Sequence, residues 1–327
     1  MRAPTSAAPP AFIDTLADTY SFVFDFQALA SACEIRLEGD DEVAVGLAAR
    51  RAIDEVRRIE RKYSRHRSGS IVSCINAAAG SIRTTDVDAE TAALLDFATY
   101  LHTLSDGLFD VTSGVLRRAW NFSTARLPDR TAVTALLPLI GWSQVSWNNR
   151  RIVLPRKAME LDFGGFTKQY AADRAMASLL ASGQRHGYIK LGGDIRVVGP
   201  RVDGRPWRFD IVHPRREGVT IATIDLREGA LAITGDYKHC FDRDGRRYCQ
   251  ILDPRTGWPV STWASISVTA PACAAAGALG LIAMLKGAQA LDFLATQGAS
   301  YLAIDTRLGV FRQCRPGSDR FDCGEGS

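Results

Sequence analysis

The sequence predicts an α+β fold in which mostly antiparallel sheets carry helices packed on their outer faces. Three observations point there. Asp41 to Tyr63 and Asp88 to Ser105 repeat apolar residues at the spacing of one helix face. Tyr20 to Leu37, Trp207 to Leu226 and Trp263 to Ala270 are instead rich in β-branched and aromatic residues, broken by short polar turns. The chain has no internal repeat or long linker, and its 327 residues, 46% hydrophobic and 23% charged, suffice for a full core. The expected organisation is a disordered segment over 1–19, one domain over 20–312 and a polar tail over 313–327, with Met1 to Pro10 rich in Ala and Pro.

Charge and cysteine content narrow the function classes. The net charge of +4 is small for this length and the basic residues are scattered, so a nucleic-acid footprint is not expected. Arg57-Arg58 and Arg61-Lys62 fall within a helical pattern and read as a solvated face. The seven cysteines include no C-x-x-C, and an odd count without secretory features favours reduced thiols and a cytoplasmic location. The first twenty residues show no apolar leader core and no early lipobox cysteine, and no run reads as a membrane span.

In chain order, Tyr20 to Leu37 reads as two strands joined at Ala28-Leu29-Ala30-Ser31. The helix from Asp41 ends at the polar loop Ser64-Arg65-His66-Arg67-Ser68-Gly69-Ser70, followed by Ile75-Asn76. After the second helix, Asp106-Gly107 is a stop signal, and Asp110 with Thr112 has the form of a turn or cap. Helical residues follow at Arg117 to Phe122 and Ala132 to Leu137, then a hairpin from Gln144 to Leu154 turning at Asn148-Asn149. Gly164-Gly165 opens a helix that runs to Leu180. Glycines before a helix N-terminus aim backbone N–H groups at an anion, and Lys168 adds a point charge, a combination suited to a pyrophosphate. The strand Gly187 to Leu191 ends in Gly192-Gly193-Asp194. Strands over Trp207 to His213 and Val219 to Leu226 lead to Ala230 to Val260, the stretch on which the chain is centred.

That stretch opens with Thr234-Gly235-Asp236-Tyr237, where small residues leave the backbone open to a bound group. Asp244-Gly245 then reads as a two-residue hairpin turn that sets Phe241 opposite Tyr248 and Cys240 opposite Cys249. The second strand runs into Asp253-Pro254-Arg255-Thr256-Gly257 and Trp258-Pro259. A disulfide between Cys240 and Cys249, or between Cys314 and Cys323, is compatible with these spacings but not required by them. A helix from Ala272 to Gly287, another from Ala288 to Gln297 and a strand from Ser300 to Ile304 close the domain.

These blocks resemble the FAD:protein FMN transferases of the ApbE type over roughly residues 20–312. Thr234-Gly235-Asp236-Tyr237, then Ile251, Asp253, Pro254, Thr256, Gly257 and Pro259, are similar to the family's T-S-G-D-Y hairpin and H-I-x-D-P-x-T-G-x-P. Leu161 to Asp173 resembles L-D-x-G-G-x-A-K-G-Y-A-x-D, and Gly107 to Thr112 resembles G-x-F-D-x-T. The resemblance implies a cleft between two lobes that binds FAD or FMN, and transfer of FMN from FAD to a Thr of an acceptor protein with release of AMP. It implies contacts from His66, Asn76, Asp110, Gly164, Gly165, Lys168, Gly192, Gly193, Thr234, Gly235 and Gln250, with Lys168, Asp236 and Arg255 as the residues assigned to catalysis.

Departures are informative. His66 replaces a Tyr, Leu29-Ala30-Ser31 replaces Met-Gly-Thr, Ile233 replaces Thr and Gln250 replaces His. The family holds Mg²⁺ through an Asp and a Thr of A-D-A-x-x-T and a carbonyl of the K-G-Y block. Here Gly277 and Leu281 fall at the two side-chain positions, leaving only the Thr167 carbonyl, so Mg²⁺ is doubtful. The alternative reading is therefore a relative that binds flavin without transferring it. Asp110 to Gly114 lacks the ending of the family's acceptor motif D-x-x-[ST]-G-A-T, so self-modification is not expected.

Overall fold

The computed structural model describes residues 15–16, 19–148, 150–315 and 321–323. The expectation for Met1 to Pro10 lies outside the described residues, as does Asn149 of the Asn148-Asn149 turn. Strand β1 (Thr15–Leu16) precedes the hairpin of β2 (Thr19–Ala28) and β3 (Ser31–Gly39). Its turn residues Leu29 and Ala30 both take φ of 53°, the left-handed pair that suits a tight hairpin, and the Leu29 N–H donates to Glu60 Oε1 at 2.7 Å. Helix α1 (Glu42–Tyr63) starts where Asp41 accepts from the N–H groups of Val43 and Ala44, and it buries Val45, Ala49, Ala52, Val56 and Ile59. Then come α2 (Ile71–Ala77), β4 (Thr85–Asp86), α3 (Ala89–Leu104), α4 (Arg130–Leu136), β5 (Ser146–Asn148) and β6 (Arg151–Val153). The helical turn expected at Arg117 to Phe122 is a 3₁₀ segment at Ser113–Arg118.

The second half begins with α5 (Thr167–Ala181), β7 (Gly187–Leu191) and β8 (Asp194–Gly199), then β9 (Trp207–Val212) and β10 (Thr220–Leu226). It continues through β11 (Ala230–Gly235), the hairpin β12 (Cys240–Arg243) and β13 (Arg246–Cys249), and β14 (Trp263–Ala270). It ends with α6 (Cys273–Lys286), α7 (Ala290–Thr296), β15 (Ser300–Asp305), β16 (Val310–Gln313) and β17 (Phe321–Asp322). Asp244 at φ 52° and Gly245 at φ 71° make the expected turn, and Phe241 pairs with Tyr248 and Cys240 with Cys249. All seven cysteines carry free thiols.

A nine-stranded antiparallel sheet runs in the order β1-β2-β3-β7-β8-β11-β14-β15-β16. Its two faces bury different partners, as strand alternation requires. Ala230 and Ala303 point into the core shared with α1, α5 and α6, while the adjacent Leu231 and Leu302 point to a second core. That second core is closed by the small sheet β17-β10-β9, so the Trp207 to Leu226 strands form a separate layer over the main sheet.

Three differences from the sequence reading have physical causes. Phe321, within the expected polar tail, is 2% exposed because its strand pairs with β10, and a two-residue strand leaves too little pattern to read. Only Arg57 and Arg61 of the basic run are solvated. Arg58 pairs with Glu55 and Glu90, and Lys62 with Asp88 and Glu90, which ties α1 to α3. Finally, Cys273–Thr296 is long and apolar enough to cross a membrane by length and composition, contrary to the sequence reading. In this fold half of its most apolar window is buried, and Gly287 at φ 57° separates α6 from α7.

Candidate active site

A cleft of about 260 Å³ opens where the N-terminus of α5, the end of β11 and one face of α6 meet the Leu108 to Arg117 segment. Aromatic packing fixes the α5 end of it. Phe166 is fully buried against Phe163, Phe97 and Phe109, and Phe163 in turn packs on Tyr63. Asn76 clamps the approach to this helix by accepting from the Leu161 N–H at 2.6 Å and donating to the Leu161 carbonyl at 3.0 Å. It therefore lies beside the cleft and positions the Asp162 to Gly165 turn.

Within the turn, the Gly164 N–H donates to Asp162 Oδ1 at 2.8 Å, and Asp162 Oδ2 meets Arg65 at 3.0 Å and Arg117 at 3.3 Å. Burial by itself would raise the Asp162 pKa, but Arg117, Arg65 and the Gly164 N–H outweigh it and hold the carboxyl below its ordinary value. Gly165 lines the cleft, and its missing side chain lets Phe109 and Leu281 approach closely: a Cβ there would sit 3.1 Å from one and 3.2 Å from the other.

Lys168 lines the cleft with its ammonium 2.9 Å from Asp194 Oδ2. Asp194 is 1% exposed and also accepts from Gln169 Nε2 at 3.0 Å and from the Ile233 N–H at 3.3 Å. Gln169, where the resemblance has Gly, lies against Gly277 of α6. A Cβ on Gly277 would be 2.6 Å from Gln169 Cγ and 3.0 Å from Nε2. Gly280 brings α6 close to β11, with Thr234 Oγ1 3.1 Å from the place of its missing Cβ.

The other expected site residues divide into three groups: in the cleft, at a neighbouring depression, and outside both. Asp110, Gly164, Gly165, Lys168, Thr234, Gly235 and Gln250 converge on the cleft. Asp110 is committed within the protein, accepting from the Thr112 N–H and hydroxyl and from the Trp142 N–H. Gly192 and Lys238 line a neighbouring depression with Asp25, Ser31 and Glu34, and Gly193 stands beside Lys238 Nζ. His66 is exposed on its loop, and Thr167 is buried with its hydroxyl donating to the Phe163 carbonyl; neither lines the cleft.

Two of the residues assigned to catalysis are engaged elsewhere. Asp236 is 2% exposed and held by Arg215 through two bonds of 2.6 and 2.7 Å, and Arg255 is exposed and paired with Asp253 on the same turn. Neither lines the cleft. Conversely Arg117, Gln169 and Lys238 line it, and the sequence reading passed over all three. Lys238 was detectable, two residues after Asp236; Arg117 and Gln169 acquire their position only through long-range packing. Desolvation in the mouth lowers the Lys238 pKa, neighbouring Lys168 and Lys190 lower it further, and Asp194 opposes them.

The end of α5, the glycine-bearing end of β11 and two lysines thus meet at one cleft of an α+β protein. The ApbE family model matches residues 29–303, and the chain belongs to that family. The FAD:protein FMN transferase of Rhodobacter capsulatus is 34% identical over 219 residues, 65% of this chain and 41% of that protein. The one from Treponema pallidum is 29% identical over 279 residues, 79% of this chain and 77% of its own. The match covers 65% of the Haemophilus influenzae relative, and the chain spans less than two thirds of the length of several of the relatives it matches. Among solved structures, the ApbE protein of Thermotoga maritima superposes with a TM-score of 0.82 at 28% identity, covering 90% of this chain and 97% of that one. The flavin transferase ApbE of Vibrio cholerae, at 23% identity and a TM-score of 0.79, shares the fold.

Proposed function

We propose that the chain is a flavin transferase that moves FMN from FAD to a hydroxyl of an acceptor protein and releases AMP. The observation that carries this is the meeting of sequence-distant family blocks, 108–114, 162–169, 233–238 and 250–252, around one cleft. In the reaction the acceptor hydroxyl oxygen bonds to the FMN-side phosphorus, the bond from that phosphorus to the bridging oxygen breaks, and AMP leaves with the oxygen and the proton. Charge builds on the departing phosphate. The chain supplies in-line positioning and positive potential: Gly164, Gly165 and Lys168, at the N-terminal end of α5, line the cleft, and the Lys168 ammonium is held by Asp194. Asp194 holds Lys168 in place, so little side-chain entropy is lost when phosphate arrives.

Mg²⁺ does not fit the residues present as the family ligand set would hold it. Gly277 and Leu281 bring no side-chain oxygen, and Gln169 fills the space beside Gly277. No step is therefore assigned to a metal.

The test uses FAD and an acceptor domain carrying Asp-x-x-Thr-Gly-Ala-Thr, with flavin fluorescence read on the acceptor after denaturation. Fluorescence that survives denaturation and vanishes with Thr→Ala in the acceptor supports transfer; an unlabelled acceptor at full FAD occupancy contradicts it. Lys168→Ala is expected to weaken FAD binding by about 10- to 100-fold, the worth of a charge-assisted bond. Lys190→Ala, outside the cleft, should change it by less than about threefold. Equal losses in a fluorescence titration would mean that Lys168 acts only through general charge.

A further inference from the structure

We infer that this cleft takes its flavin nucleotide without a divalent cation: the Gln169 side chain occupies the space a metal-ligating side chain at position 277 would need, and Lys238 supplies the compensating positive charge. The inference rests on the flavin-nucleotide reading of the cleft. Three positions that depart from the family pattern touch or share one wall. Gln169 replaces a Gly, Gly277 an Asp and Leu281 a Thr, and the Gln169 side chain lies where a Gly277 side chain would have to go. An Asp at 277 would begin with its Cβ 2.6 Å from Gln169 Cγ, closer than carbon atoms approach without displacement. The Gln169 side chain fills this space with its Nε2 donating to Asp194 at 3.0 Å, while its Oε1 is buried without a hydrogen-bond partner among the described residues.

Charge accounting at the cleft points to Lys238. Of the three cations that line it, Arg117 is paired with Asp162 and Lys168 with Asp194. Lys238 makes no ion pair among the described residues, and its Nζ is 3.1 Å from the place of a Gly193 Cβ, at the junction of the cleft with the neighbouring depression. A pyrophosphate entering the cleft meets two cations that already share their charge with a carboxylate and one without an ion-pair partner among the described residues. A lysine on a flexible stem can follow the phosphate as its charge shifts.

Calorimetric titration of FAD in EDTA and in millimolar Mg²⁺ tests this. Wild-type affinity is expected to agree within about twofold between the two conditions, and Lys238→Met to lose about tenfold in both. Gln169→Gly with Gly277→Asp and Leu281→Thr should make binding Mg²⁺-dependent by about tenfold or more, whereas Gly277→Asp with Leu281→Thr and Gln169 retained should not. The wild-type comparison and Lys238→Met leave the core untouched, so a poorly folding triple variant does not decide the matter. Wild-type binding only with Mg²⁺, or unchanged affinity in Lys238→Met, overturns the inference while the flavin reading stands. No binding by wild type and no binding by the triple variant in Mg²⁺ overturns both.

Discussion

Phe166→Ala is expected to lower the unfolding free energy by about 3–5 kcal/mol, the cost of truncating a large aromatic in a closed core. Phe166 is 0% exposed and touches rings from three separate parts of the chain, Phe97, Phe109 and Phe163, so no single neighbour can move in to fill the space. It is also the residue before α5. Losing it should loosen the helix N-terminus and Lys168 together, so FAD affinity falls alongside stability. Urea denaturation followed by tryptophan fluorescence measures the first effect, with Tyr100→Ala, at a site 57% exposed, as a control expected to stay within about 0.5 kcal/mol. A loss below about 1 kcal/mol for Phe166→Ala would show that this core is more plastic than its packing indicates.

Arg215→Ala should cost about 3–5 kcal/mol as well, for a different reason. Asp236 is 2% exposed and both of its oxygens are taken by Arg215, so removing the guanidinium strands a buried carboxylate. Replacing the pair together, Arg215→Met with Asp236→Leu, should recover much of that loss because no charge is left unpaired. The same comparison decides what Asp236 does. Under the structural assignment Asp236→Asn loses stability while the turnover of the folded fraction stays within about threefold. A collapse in turnover with stability intact would return Asp236 to catalysis.

Where the sequence was legible, the signal was local. Asp244-Gly245 dictated a two-residue turn and hence the pairing of Phe241 with Tyr248, and the apolar spacing after Asp41 set the buried face of α1. The cleft was legible in its glycines and Lys168, because backbone-rich ligand sites require small residues at fixed places along the chain. What escaped was long-range. Asp236 carries a motif, yet its partner Arg215 comes from the loop between β9 and β10, and nothing in the spacing announces the pair. Asn76 matched a pattern but acts on the backbone of Leu161, 85 residues away. The packing of Gln169 against Gly277 joins α5 to α6 and is invisible until both helices are placed. The sequence reading saw no run long enough for a membrane, yet 273–296 meets that length and composition; in the fold α6 ends at Lys286 and half of the most apolar window is buried.

The central claim is that this cleft couples FAD cleavage to flavin attachment, and the stoichiometry of a single turnover tests it most directly. With enzyme, FAD and the Thr-bearing acceptor mixed and quenched over time, AMP and acceptor-bound FMN should appear together in a one-to-one ratio, and neither should appear with the Thr→Ala acceptor. AMP accompanied by free FMN, or no AMP while FAD is bound at saturation, would contradict the account.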